Sequence, residues 1–345
     1  MINLYLGVII ASLLIHGAFF IPFINLLYQL KFIQRRASAK KKSKSIINYL
    51  HRKRPKRPIG GGILIVALTS LIFLLITAVF FKEISQQSIF YFVDEIHILI
   101  LTFLSFGLLG LYDDWIKIFG KPMKGRLGIF FGISAKTKFI WQWFLGLLIG
   151  ALLYINLGLD FIHIPLLSIT LSLGWWFIPL VALIIVSFSN AFNITDGLDG
   201  LSVGLLLIAL SSFMIISHSV LDMPLSLFLA IWMGGLIAFL YFNIYPGRIL
   251  LGDTGSLSFG ATLALVGILT GKIIALLVIG GIFMIELVSS AIQILGWKLF
   301  NKRILPLAPL HHTFELIGWP EPKIVMRAWL AGAVLAILGL WLALG

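Results

Sequence analysis

Residues 177–213 read "FIPLVALIIVSFSNAFNITDGLDGLSVGLLLIALSSF". Two oily runs flank the polar stretch Asn190–Gly200, which holds two asparagines and two aspartates. Each run has the composition of a transmembrane helix, which needs about 20 apolar residues to cross the hydrocarbon. The polar stretch then falls at a membrane edge, where an ionisable cluster needs a reason to be kept.

The rest of the chain extends this pattern. Of 345 residues, 60% are hydrophobic and 11% charged, with a mean hydropathy of +1.08. A soluble domain carries roughly 25% charged residues. The sequence therefore predicts an all-α, polytopic integral membrane protein, a single transmembrane helical domain over 1–345. Ten spans are expected, at about 3–29, 61–81, 96–112, 138–156, 175–193, 200–220, 225–245, 255–271, 273–299 and 325–344. The ninth is long, contains Gly280, Gly281 and Glu286, and reads as kinked or split. The first lacks the basic start of a signal peptide and reads as a retained span. With no cysteine, disulfides and thiolate metal sites are excluded.

The net charge of +13 is distributed unevenly. Of the 26 lysines and arginines, 24 lie on odd-numbered connections. The positive-inside bias makes those connections cytoplasmic and both termini periplasmic. The first connection alone carries "RRASAKKKSK" and "HRKRPKRP". Its Lys40–Lys44 part suits anionic lipid, while Arg52–Arg57 is close enough to the next span to reach a site. Nothing interleaves aromatics with this charge, so nucleic-acid binding is not expected.

Four polar clusters share the same face. "GLYDDWIK" places Asp113 and Asp114 at a helix end, with Lys117 one turn on. Asn190, Asn193, Asp196 and Asp199 step by three, and form a slanting stripe if the helix continues; Gly197 and Gly200 also permit a turn. "LLGDTGS" sets Asp253 before the eighth span, as a helix N-cap or as a metal ligand. "PLAPLHHTFELIGWPEP" carries His311, His312 and Glu315. Carboxylates for Mg2+, bases for phosphate and a flank open to lipid together fit phosphoryl transfer from a soluble donor to a lipid acceptor. Such chemistry rests mainly on positioning and charge neutralisation.

Read together, "DDWIK", "NAFNITDGLDGL", "GDTGSLSFG" and "APLHHTFELIGWPEP…MRAW" resemble the polyprenyl-phosphate N-acetylhexosamine-1-phosphate transferase superfamily, the last segment its muramoyl-pentapeptide branch. The likeness covers nearly the whole chain. It implies an Mg2+-dependent transfer of phospho-N-acetylmuramoyl-pentapeptide from its UDP-linked form to undecaprenyl phosphate. The products are lipid I and UMP, and the setting is the cytoplasmic side of the bacterial inner membrane in a homodimer. It implies that Asp113 deprotonates or orients the lipid phosphate beside Asp114, and that Asp253 holds the metal with Asp113 and Asp114. Asn193, Asp196, Gly197 and Asp199 line the uridine and metal region, with Asn243 near the nucleoside and Gln293 in the pocket. His311 and His312 hold phosphate or sugar, and Lys117, Lys138 and Arg54 suit phosphate. Three positions depart from the pattern. Thr313 replaces a third histidine, Arg54 stands where a lysine is expected, and Leu250 replaces an aromatic.

Rival readings are a sister transferase of another UDP-N-acetylhexosamine, an intramembrane aspartyl protease pairing Asp113 with Asp253, and a lipid transporter. The histidine segment disfavours the first. "LLGD", lacking the first glycine of Gly-x-Gly-Asp, disfavours the second. The clustering of polar groups at one face, away from the midplane, disfavours the third.

Overall fold

The computed structural model describes residues 2–33, 56–120, 123–125, 128–130, 132–167 and 169–345. Its long helices are α1 (Ile2–Gln29), α2 (Gly61–Val79), α4 (Phe92–Phe119), α5 (Ala135–Leu157), α6 (Phe177–Thr195), α7 (Leu201–Ser219), α8 (Met223–Asn243), α9 (Asp253–Leu269), α11 (Gly281–Phe300) and α13 (Glu321–Leu344). Short helices α3 (Phe81–Ser85), α10 (Ile273–Ile279) and α12 (Leu310–Leu316) join them. The strands form two antiparallel hairpins, β1 (Met123–Gly125) with β2 (Gly128–Phe130) and β3 (Phe161–Ile164) with β4 (Ile169–Ser172).

Nine of the described helices are long and apolar enough to cross a membrane. The all-α polytopic fold is thus as the sequence predicts, because only helices satisfy their own backbone in lipid while remaining separate spans. One boundary differs from the expected span, and the expected break in the ninth span is present. The third span continues to Phe119, carrying Asp113, Asp114 and Lys117 within the helix. The ninth breaks at Gly280, where the backbone leaves helical geometry (φ −84°, ψ 14°), giving α10 and α11.

The shorter tenth candidate, α9, is the pillar of the bundle. All 17 of its residues are buried, and α2, α4 and α6 pack around it. Such approach needs small residues, because lipid gives helices no hydrophobic reason to associate. Gly62 of α2 abuts the backbone of Gly255, and Gly110 of α4 abuts the backbone of Asp253 and Thr254. Hydroxyls add polar ties. Ser258 Oγ donates to the Phe103 carbonyl at 2.6 Å, and Ser189 Oγ to the Leu257 carbonyl at 3.1 Å. The outer helices α1 and α13 instead expose Leu14, Ile337 and Trp341, as surfaces against lipid do.

The N-terminus of α9 and the C-terminal ends of α4 and α6 meet at one end of the bundle. Residues 56–60 run along the segment before α9. Leu250 N donates to the Pro58 carbonyl at 2.9 Å, and Gly60 N and Gly61 N donate to the Leu250 carbonyl at 3.1 and 3.0 Å.

Candidate active site

Asp113 and Asp114 lie at the end of α4, Lys138 in the first turn of α5, and Asp253 at the first position of α9. Ser134 caps α5 by accepting from Thr137 N at 3.1 Å, which fixes the start of that helix and the direction of Lys138. Four charged groups, Asp113, Lys117, Lys138 and Asp253, close on one another. Lys117 Nζ stands 3.0 Å from Asp113 Oδ2 and 2.6 Å from Asp253 Oδ1. Lys138 Nζ stands 2.5 Å from Asp113 Oδ2 and 2.6 Å from Asp253 Oδ2. Asp113 and Asp253 are 1% and 8% exposed, and each sees both ammonium groups. Buried charges persist when paired in this way.

Asp114 has different work. Its Oδ1 accepts from Asp253 N at 3.0 Å, and its Oδ2 accepts from Thr254 N at 3.0 Å and Thr254 Oγ1 at 2.9 Å. A carboxylate there satisfies the open N–H groups of α9 and meets the positive end of its dipole. Asp253 itself caps nothing: Gly252 holds the cap position. The cap that the sequence offered for Asp253 is therefore supplied by Asp114 from another helix, leaving the Asp253 carboxylate for the lysines.

The Asn–Asp stripe does not continue as a helix, because α6 ends at Thr195 and Asp196–Gly200 turn back into α7. Asn193 Nδ2 donates to Ser256 Oγ at 2.6 Å, tying α6 to α9. Asp196 Oδ1 accepts from Ser202 Oγ at 2.6 Å. Burial pushes the Asp196 carboxyl up to about 7; Ser202 opposes this, and the charges of Asp253 and Asp199 add to it. Asn190 faces Gln142 and the Val186 carbonyl instead.

Asp199 anchors a second knot. Its Oδ2 accepts from Arg57 at 2.5 Å and from Gly247 N at 2.9 Å, while its own N–H donates to Glu321 Oε1 at 2.8 Å. Asn243 Oδ1 accepts from Gly200 N at 3.0 Å, and its Nδ2 donates to the Ile249 carbonyl at 2.9 Å. Arg54 lies outside the described residues. Arg57, three positions on, is the basic residue that enters this region, and it was distinguishable in sequence only by its nearness to "PIGGG".

Gln293 braces the connection after α11. Its Oε1 accepts from Ile304 N at 3.2 Å and Leu305 N at 2.9 Å, and its Nε2 donates to the Leu305 carbonyl at 3.2 Å. That connection delivers α12, whose His311 is buried against Gly197. His312 Nδ1 lies 2.6 Å from Glu315 Oε2. Burial lowers the His311 pKa, with Glu286 opposing the shift. Thr313, where a third histidine was expected, donates its hydroxyl to the Leu307 carbonyl. The predicted motifs thus converge from α4, α5, α6, α9 and α12, while Asp114, Asn243 and Gln293 hold backbone in place.

A bundle that crosses the membrane and closes carboxylates and lysines at one end fits the class of membrane-embedded transferases of phosphorylated groups. The comparisons agree. The profile of glycosyl transferase family 4 matches residues 96–271. The phospho-N-acetylmuramoyl-pentapeptide-transferase of Halalkalibacterium halodurans is 36% identical, covering 99% of this chain and 97% of its own length. That of Bacillus subtilis is 36% identical, covering 85% of each chain, and that of Shouchella clausii 36%, covering 96% and 94%. This chain belongs to glycosyl transferase family 4 and, within it, to the phospho-N-acetylmuramoyl-pentapeptide transferases.

Proposed function

We propose that the cluster of Asp113, Lys117, Lys138 and Asp253 carries the transfer of phospho-N-acetylmuramoyl-pentapeptide from its UDP-linked form to undecaprenyl phosphate, on the cytoplasmic side of the inner membrane. The net exchange is balanced. A bond forms between an oxygen of the lipid phosphate and the phosphorus attached to the sugar; the bond from that phosphorus to UMP breaks. The products are lipid I and UMP. The observation that carries the reading is the pair of ammonium groups held between two carboxylates from different helices. Two phosphorylated reactants bring several negative charges, and Lys117 and Lys138 are placed to receive them.

Asp113 is the group assigned to deprotonate or orient the lipid phosphate. Its Oδ1 is fixed by Ile133 N at 2.6 Å, so its Oδ2 is the atom turned toward the lysines and the reactants. Asp196 and Gly197 form the turn beside His311 at which the donor is read, and Arg57, Asp199 and Asn243 keep that turn in place.

The residues fit Mg2+. Among the described residues no group of three or more His, Cys, Asp or Glu gathers as a metal site, but a hard cation of this kind needs only one or two carboxylates, with water and substrate phosphate completing its shell. Asp113 and Asp253 would hold it in exchange for their lysine contacts, with Asp114, whose oxygens accept from the start of α9, beside them. The ion supplies charge neutralisation at the transferring phosphate when bound. The homodimer expected from the resemblance is part of this proposal, checked by the mass of the protein in detergent.

A donor comparison tests the reading. Purified protein with Mg2+ and undecaprenyl phosphate should release UMP from UDP-N-acetylmuramoyl-pentapeptide and not from UDP-N-acetylglucosamine. The opposite preference would move the chain to a sister specificity.

A further inference from the structure

Glu286 is a carboxylate buried in the second turn of α11, and the phosphate chemistry above does not use it. Its Oε1 accepts from His311 N at 3.1 Å, and its Oε2 lies 3.1 Å from His311 Nδ1. One carboxylate therefore holds the main chain by a hydrogen bond and stands beside the ring. The neighbouring Ser289 repeats the tie by accepting from Leu310 N at 3.2 Å.

The contact with Glu286 favours one state of the ring, although Nδ1 makes no aligned hydrogen bond. A carboxylate can only accept, so the nitrogen facing it carries the hydrogen. In the neutral imidazole the other nitrogen is then a bare acceptor. Both ring nitrogens lack a hydrogen-bond partner among the described residues, in a side chain 2% exposed, and of the two Nε2 is the one with no carboxylate beside it. It faces Gly197 so closely that a Cβ there would collide with it. Buried polar atoms are normally satisfied, and this one points at the turn assigned to the donor substrate. Phosphate offers only acceptors and does not satisfy it. A hydroxyl or an amide N–H does.

Building on the proposed function, we infer that Glu286 is a positioning residue that fixes His311 as its Nδ1–H tautomer, so that Nε2 accepts a hydrogen bond from a hydroxyl or amide N–H of the UDP-sugar donor beside Gly197. His311 then reads the sugar-nucleotide rather than its phosphates, and Glu286 acts on donor recognition only through His311.

The titratable groups around the ring are Glu286 from α11, and His312 and Glu315 from α12; Asp196 and Asp199 flank the Gly197 turn. Glu286 raises the His311 pKa against burial, so removing its charge moves protonation of the ring to lower pH.

The test is UMP release by purified protein carrying Glu286→Ala, Glu286→Gln, His311→Ala or Glu286→Ala with His311→Ala, with thermal midpoints followed in parallel. Glu286→Ala should raise KM for the UDP-sugar roughly tenfold or more, by analogy with the loss of residues that orient histidine ligands, with KM for undecaprenyl phosphate unchanged. Adding it to His311→Ala should cost nothing further. Glu286→Gln, which keeps an acceptor oxygen beside Nδ1, should keep most activity and shift the acid limb of the pH profile downward. Additive losses, an equal rise in both KM values, or an acid limb that stays put in Glu286→Gln would overturn the inference, the last even if the alanine variant fails to fold. Absence of UMP release by the unmodified protein would overturn the proposed function itself.

Discussion

Gly110→Ala adds one methyl group, removes no polar atom, and should nonetheless nearly silence the enzyme. The Cβ would stand 2.6 Å from Thr254 N and closer still to the Asp253 carbonyl. Real Cβ contacts begin above 3 Å, and the atoms met are backbone, which cannot rotate away as a side chain can. Helices α4 and α9 must therefore part by ~1 Å, because a close-packed interior has no slack to absorb the group. The displaced pieces are those that matter: Asp253 on one helix, and Asp113, Asp114 and Lys117 on the other. A misplacement of about 1 Å can cost on the order of 100-fold in rate, and overpacking of this kind costs about 1–3 kcal/mol of stability. UMP release by purified protein, with a thermal midpoint in detergent, separates the two effects. Gly107→Ala is the control. It lies one turn back, where the new Cβ meets the side-chain Val66 Cγ1 at 3.2 Å, and it should stay close to normal. Near-normal turnover by Gly110→Ala would refute the claim that contact between α4 and α9 sets the site geometry.

Three further outcomes are expected. Asp113→Asn should lower turnover by roughly 100- to 1,000-fold, the scale of losing one preorganised electrostatic group, without loss of expression. Chelation by EDTA should likewise stop turnover, and activity unaffected by chelator would remove the proposed metal. Arg57→Ala leaves Asp199 buried without its cation and should cost about 3–5 kcal/mol, read as a fall in thermal midpoint larger than that of any exposed lysine variant. The Asp196 carboxyl, raised to about 7 from 3.8, stays protonated in the fold while the unfolded chain ionises. The fold accordingly loses stability as pH rises from about 4 through about 7. Asp196→Asn should remove that loss, so its thermal midpoint should exceed that of the unmodified protein more at pH 8 than at pH 5.

The spans were legible because period and length suffice when lipid is the solvent. The convergence of "DDWIK", "NAFNITDGLDGL", "GDTGS" and "LHHTFEL" at one end was legible from the alternation of basic connections. What escaped was which partner each polar group would find. Nothing local shows that Asp114 accepts from residues 139 and 140 positions later, or that Gln293 braces its own following loop. Arg57 and Arg54 are chemically alike and three residues apart; only tertiary packing shows that Arg57 meets Asp199. Glu286 was visible as a carboxylate inside a span, but its partner became identifiable only when α12 folded back onto α11. Gly62 and Gly110 read as ordinary small residues until the backbone they approach is known.

The most direct measurement of the central claim is UMP release by Asp253→Asn protein supplied with UDP-N-acetylmuramoyl-pentapeptide, undecaprenyl phosphate and Mg2+. The variant keeps the size and shape of the side chain while removing the charge that Lys117 and Lys138 share with Asp113. The account predicts a folded protein with turnover abolished; a rate near that of the unmodified enzyme would contradict it.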